Sequence, residues 1–154
     1  MPLREYFSYV DASDVFDYGV QEQNRVVNFL RPLAVPPHLQ AEWIITNPPF
    51  NLAQEFAQVG IQQCGAGGVA LLVRTAFFGT SGRWHGLFRA TPSTQIFQFT
   101  ERVPMRKGRL DRKDSTAKAY CWAVWRKGEI GEKPPEFHWI SECRKRLELD
   151  ADYF

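Results

Sequence analysis

Cysteine is scarce in this 154-residue chain, with Cys64, Cys121 and Cys143 the whole supply. No two of them stand in a Cys-x-x-Cys spacing, and three cannot all pair, which argues against a disulfide framework and against a zinc site. His38, His85 and His138 are isolated from one another and fall in no ligand spacing, so no metal is expected. No apolar run approaches the roughly 18 residues that a membrane helix needs. The N-terminus also lacks a basic stretch followed by an apolar one, so neither export nor membrane spanning is indicated and a reducing cytoplasm is the expectation. Repeats and low-complexity segments are absent. Net charge is small as well, 19 basic against 17 acidic residues for a formal +2, too little by itself to imply nucleic-acid binding.

What the chain does have is apolar substance, 44% hydrophobic and 14% aromatic. At this length that predicts a single globular domain over residues 1–154. Its charge is unevenly spread. Arg102, Arg106, Lys107, Arg109, Arg112 and Lys113 face only Asp111 of opposite sign, which makes the loop 102–117 a candidate nucleic-acid contact; the alternative is a solvated surface loop.

The pattern along the chain reads as α/β. Leu3 to Phe7 resembles the end of a helix, Ser8 to Ala12 a short strand stopping at Ser13-Asp14, and Val26 to Leu30 a second short apolar segment. Trp43 to Thr46 is a buried strand, and Asn51 to Cys64 a helix with Leu52, Phe56, Val59 and Ile61 near helical spacing and Asn51 as N-cap. The glycines 65–68 follow that helix and precede a strand, the reverse of a phosphate-cradling order. Val69 to Val73 suits a central parallel strand. Ser81 to Ala90 reads as a short helix with Trp84, Leu87 and Phe88 toward the core. Gln95 to Val103 and Lys118 to Arg126 alternate like an antiparallel pair joined by the basic loop, and Phe137 to Ile140 like an edge strand.

Directly after Trp43-Ile44-Ile45-Thr46 stands Asn47-Pro48-Pro49-Phe50. The two prolines fix φ and force the backbone out of the strand into a stiff turn. Such a turn can hold a planar exocyclic amine, with one hydrogen donated to the Asn47 side-chain oxygen, the other to the Pro48 carbonyl, and the ring stacked over Phe50. Orientation and electrostatics are then the protein's contribution to attack on an electrophile. The alternative is a proline turn capping a strand, with Phe50 as a core anchor.

Strand-Asn-Pro-Pro-Phe resembles the catalytic motif of S-adenosylmethionine-dependent amino-methyltransferases, above all the DNA adenine-N6 enzymes, whose pattern is Asn/Asp/Ser-Pro-Pro-Tyr/Phe/Trp. The stretch from Trp43 to Trp125, including Val73-Arg74-Thr75-Ala76-Phe77-Phe78 and the basic segment Glu101 to Tyr120, is similar to small phage- and prophage-encoded proteins of that family. The resemblance implies a Rossmann-like methyltransferase fold, a mostly parallel sheet with an antiparallel C-terminal edge pair. It implies Asn47, Pro48, Pro49 and Phe50 as catalytic, S-adenosylmethionine as cofactor and DNA as partner. The same motif pattern also serves RNA guanine-N2 and protein glutamine methylation, and a non-catalytic remnant binding nucleic acid or a partner is a third expectation.

The family's first strand ends in a glycine-rich turn, Phe/Pro-x-Cys/Gly-x-Gly, which holds the methionine part of the cofactor, and this chain has no match for it. By the resemblance Ser8 to Asp14 corresponds to the second strand, whose acidic end binds the ribose hydroxyls. Asp14 is the candidate, with Asp11 second. Val27-Asn28-Phe29-Leu30 corresponds to the adenine-binding segment, with Asn28 where an Asp usually stands and Phe29 beside it. The fold is thus expected to be N-terminally incomplete and the isolated chain inactive, with the sheet either completed by upstream residues, completed by a second copy or a partner chain, or closed up in a variant way.

Overall fold

The computed structural model describes residues 2–31, 41–104 and 116–148. They divide into two compact units, Met1–Gln40 and Ala41–Phe154.

The first unit holds a 3-10 turn, Pro2–Glu5, and two parallel two-residue strands, β1 (Ser13–Asp14) and β2 (Arg25–Val26). Both strands are shorter than the sequence pattern suggested, and the first lies at Ser13–Asp14, just past the Ser8 to Ala12 segment expected to form it. The reason is local. Asn24 accepts the Ala12 N–H through its side chain at 2.9 Å, Gln23 accepts the Tyr18 N–H at 3.0 Å, and Arg25 pairs with Asp11. Side chains hold much of this segment where a longer ladder would use backbone.

The second unit is a five-stranded sheet in the order β3-β4-β6-β5-β7, with β3 Trp43–Thr46, β4 Gly68–Arg74, β5 Gln95–Phe99, β6 Tyr120–Arg126 and β7 Glu136–Ile140. The pairs β3/β4 and β5/β7 are parallel, β4/β6 and β5/β6 antiparallel. The sheet is therefore evenly mixed, which corrects the expectation of a mostly parallel one. The antiparallel partners β5 and β6 do pair as expected, but they do not form the edge. β6 lies between β4 and β5, and β7 takes the outside. Five of the seven β6 residues are buried, a pattern that a strand flanked on both sides accommodates and an edge strand does not.

Helix α1 (Ala53–Gln63) links β3 to β4 and buries Ala53, Ala57 and Gly60. The deepest stripe is thus of small residues, with Phe56 and Ile61 packed against the core from its flanks. A Cβ on Gly60 would sit 3.1 Å from the Val69 methyls, so this helix meets the strand too closely for the larger side chains. Asn51 does not cap α1. Leu52 occupies that position without a side-chain cap, and its N–H donates to the Pro49 carbonyl at 2.8 Å, so the rigid diproline sets the first turn. Between β4 and β5 run a 3-10 turn (Thr75–Phe78), a single turn α2 (Ser81–Arg83) and a π-helical turn (Trp84–Phe88). Leu87 and Phe88 are buried while Trp84 is exposed, because the wider π turn rotates the stripe off the ideal helical spacing. Gly68 has φ 147°, and a Cβ there would lie 2.0 Å from the Trp125 carbonyl oxygen. The glycine cluster thus lets β4 run tight against β6. A short α3 (Arg144–Leu147) follows β7.

Candidate active site at the Asn47-Pro48-Pro49-Phe50 turn

The ladder register defines one edge of the sheet. Arg74, the last residue of β4, pairs with Tyr120, the first of β6, and Val73 pairs with Cys121, which pairs with Gln98 near the end of β5. Phe99 and Ile140 close the β5/β7 ladder at the same edge. The carboxyl ends of four strands and the start of β6 therefore lie together, the place where α/β sheets gather ligands. Asn47 leaves β3 there, since Thr46 pairs with Leu71 and the next rungs of β4 are Leu72 to Arg74. Within the turn Pro48 is buried, Asn47 and Pro49 are exposed and Phe50 is half-buried. Among the described residues the Asn47 amide takes up no hydrogen bond. Its oxygen stays available as an acceptor.

Phe50 sits in a cluster that its own segment does not announce. Its ring tilts against Tyr120 at 5.7 Å between centroids, and the Arg74 guanidinium lies over it at 4.4 Å. Arg83 lies over Phe77 at 4.7 Å and donates to the Phe77 carbonyl at 3.3 Å. Both arginines line a cavity of about 280 Å³ with Phe50, Asn51, Ala53 and Phe77. The Arg74 Nε is buried without a hydrogen-bond partner among the described residues, an unmet donor of a kind folded proteins rarely leave. Aromatic faces and two guanidinium groups make a cleft suited to a flat ring carrying an anionic tail. The sequence pattern alone assigns no site role to Arg74, Arg83 or Tyr120. The available signal was a cation ending an apolar strand run, at the end where ligands bind.

The cofactor-side candidates occupy the first unit. Asp14 ends β1, and Asn28 follows β2 by two residues, so both stand at the carboxyl end of one parallel ladder. Both side chains are already used locally, Asp14 accepting from the Phe16 N–H and Asn28 from the Leu30 N–H, each at 3.0 Å. Phe29 is half-buried, and Asp11 is engaged by Arg25. Of the basic candidates, Arg102 is exposed, whereas Arg106, Lys107, Arg109, Arg112 and Lys113 lie outside the described residues. In the chain their segment falls between Pro104 and Thr116, in the connection from β5 to β6.

Compared with known proteins, the chain matches no family model, and no curated protein matches it. Among the described residues there is no helix long and apolar enough to cross a membrane, and no group of three or more histidine, cysteine or acidic side chains placed to hold a metal.

Proposed function

We propose that the chain is a methyltransferase-like domain whose Asn47-Pro48-Pro49-Phe50 turn captures the N6 amino group of an adenine extruded from DNA. The observation that carries this reading is the placement of that turn: at the carboxyl end of β3, with an exposed Asn47 amide free of other partners among the described residues, a buried Pro48 and a half-buried Phe50 ring whose face is held by a cation. The Asn47 oxygen and the Pro48 carbonyl accept the two amino hydrogens, which holds the nitrogen lone pair out of the ring plane, and Phe50 supports the base. For the base to stack on that face of Phe50, the Arg74 guanidinium moves aside toward the nucleotide's phosphate. The basic run Arg102 to Lys113, in the connection from β5 to β6, supports nucleic acid over a protein amide as the substrate, and so over a protein-glutamine reading.

S-adenosylmethionine would supply an electrophilic methyl group. The residues fit its nucleoside part incompletely, since Asp14 retains one carboxylate oxygen outside its local turn while the Asn28 oxygen serves the Leu30 N–H. The family's glycine-rich turn for the methionine part has no counterpart in Gly65-Ala66-Gly67-Gly68, which opens a strand instead of closing one. The amine-binding half of the reaction is therefore what this chain carries.

Binding, without any cofactor, tests the proposal. An oligonucleotide with an unpaired adenine should bind about tenfold more tightly than the same strand carrying unsubstituted purine at that position, as expected for the amino hydrogen bonds. Asn47→Ala should abolish the difference and, in the assembled enzyme, lower tritiated-methyl transfer roughly a hundredfold. Equal affinity of the wild-type chain for adenine and purine would remove the turn from amine recognition.

A further inference from the structure

The edge strand β7 carries two large rings in the open. Phe137 and Trp139 lie two residues apart on one face, 51% and 68% exposed, in edge-to-face contact at 5.0 Å between centroids. They share that face with Ile96 and Gln98 of β5 and, through β6, with the buried Cys121 and Ala123. It is the core face of the sheet, run on past its helical cover. The rings wall a groove of about 440 Å³ with Phe99, Thr100, Arg102 and Thr75. The groove's polar floor is already satisfied: the Gln98 amide donates to the Phe99 and Tyr120 carbonyls, each at 2.9 Å, and accepts from the Thr75 hydroxyl at 2.8 Å.

Among the described residues of the segments that bound the groove, basic side chains outnumber acidic ones, Arg102, Lys118, Arg144, Lys145 and Arg146 against Glu101, Glu142 and Glu148. The carboxylate of Glu101, the acid in its wall, accepts the Cys143 and Arg144 N–H groups, both at 2.8 Å, and so ties α3 to the groove. Exposed Lys145 and Arg146 belong to that tied helix, exposed Arg102 lines the groove, and exposed Lys118 precedes Ala119 of its wall. Flat aromatic faces beside such a basic excess suit a polymer of flat rings and regular negative charge whose bases are not already stacked in a duplex. A peptide strand would use the outer backbone edge of β7 and leave the rings idle.

We infer that Phe137 and Trp139 form a stacking shelf for an unpaired base of the nucleic-acid strand whose adenine enters the Asn47-Phe50 turn; the inference rests on the amine-capture reading for the identity of that strand. Anisotropy titration of the whole chain with labelled oligothymidylate, against an abasic strand of equal length, tests it. The wild-type chain should prefer the base-bearing strand by roughly tenfold or more. Phe137→Ala with Trp139→Ala should bind both strands alike, with an unchanged melting temperature because both rings are exposed, and Trp139→Phe should keep the preference. A wild-type chain indifferent to the bases, or a double variant that keeps the preference, overturns the shelf. So does sedimentation in which the double substitution separates two associated copies. Loss of adenine-over-purine discrimination with base-dependent binding intact would sink amine capture and leave the shelf; the opposite pattern would sink the shelf alone.

Discussion

Residues 2–31 and the five-stranded unit are built on opposite principles. None of residues 2–31 is buried, and Tyr6 and Tyr9 stand 81% and 76% exposed. In the sheet, Val69, Leu71, Val73, Cys121, Ala123 and Trp125 are all fully buried. Short strands held by side-chain hydrogen bonds remove little apolar surface from water, whereas the β4/β6 centre removes nearly all of its own. The difference reaches the candidate residues too. In the sheet unit the Asn47-Pro48-Pro49-Phe50 turn is anchored in a packed scaffold, and in the first unit Asp14 and Asn28 are held by their own loops.

The contrast should break most visibly in stability. Leu71→Ala, at a position with no exposure, should lower unfolding free energy by about 2–5 kcal/mol, while Tyr9→Ala should stay within about 0.5 kcal/mol. Chemical denaturation of the two variants measures the gap, and equal losses would dissolve the comparison. Next in size is the cofactor. On the proposed reading, in which only the nucleoside part of the cofactor has candidate residues, the chain alone should bind S-adenosylmethionine with a Kd no better than about 1 mM, near −4 kcal/mol. Isothermal titration giving a low-micromolar Kd would mean that another segment builds the missing half of the pocket.

Thiol chemistry sharpens the same contrast within the sheet unit. Burial pushes the Cys121 thiol up to about 11 and raises Cys64 as well, and both are buried in the core, while Cys143, also raised by desolvation, is partly exposed. Alkylation of the native chain followed by peptide mapping should label Cys143 first and reach Cys121 and Cys64 only after unfolding. Prior labelling of Cys121 would show that the centre opens readily.

The smallest effect is expected at Glu101. The Cys143 N–H, with that of Arg144, holds its carboxyl below the ordinary carboxylate range. A depressed folded value means that this contribution is whole above the unfolded value of about 4.3 and fades as pH falls through the folded one. The protection of the Cys143 and Arg144 amides, measured against the intrinsic exchange rate at each pH, should accordingly fall in acid, and Glu101→Gln should produce a similar loosening near neutral pH. Exchange indifferent to both would leave α3 held by other contacts.

Several elements were legible in the residues alone: β3, the β4 run, the helix between them, the antiparallel β5 and β6, and the late edge strand. Each carries a local cause, whether a continuous apolar run, strict alternation or a diproline stop. The small-residue stripe of α1 was missed because periodicity reports apolar spacing and not how near a strand will approach. The place of β6 inside the sheet was missed for a related reason. Alternation marks a strand but does not name its neighbours.

The sequence by itself determined the turn, since Asn47-Pro48-Pro49-Phe50 is rigid wherever it is placed, and it determined which segments must find cover. Only the tertiary structure brought Arg74, Arg83 and Tyr120 around Phe50 and set Phe137 and Trp139 at an uncovered edge. Those meetings depend on the order and register of strands far apart in the chain. Register is chosen by the packing of the whole sheet, which no single segment encodes.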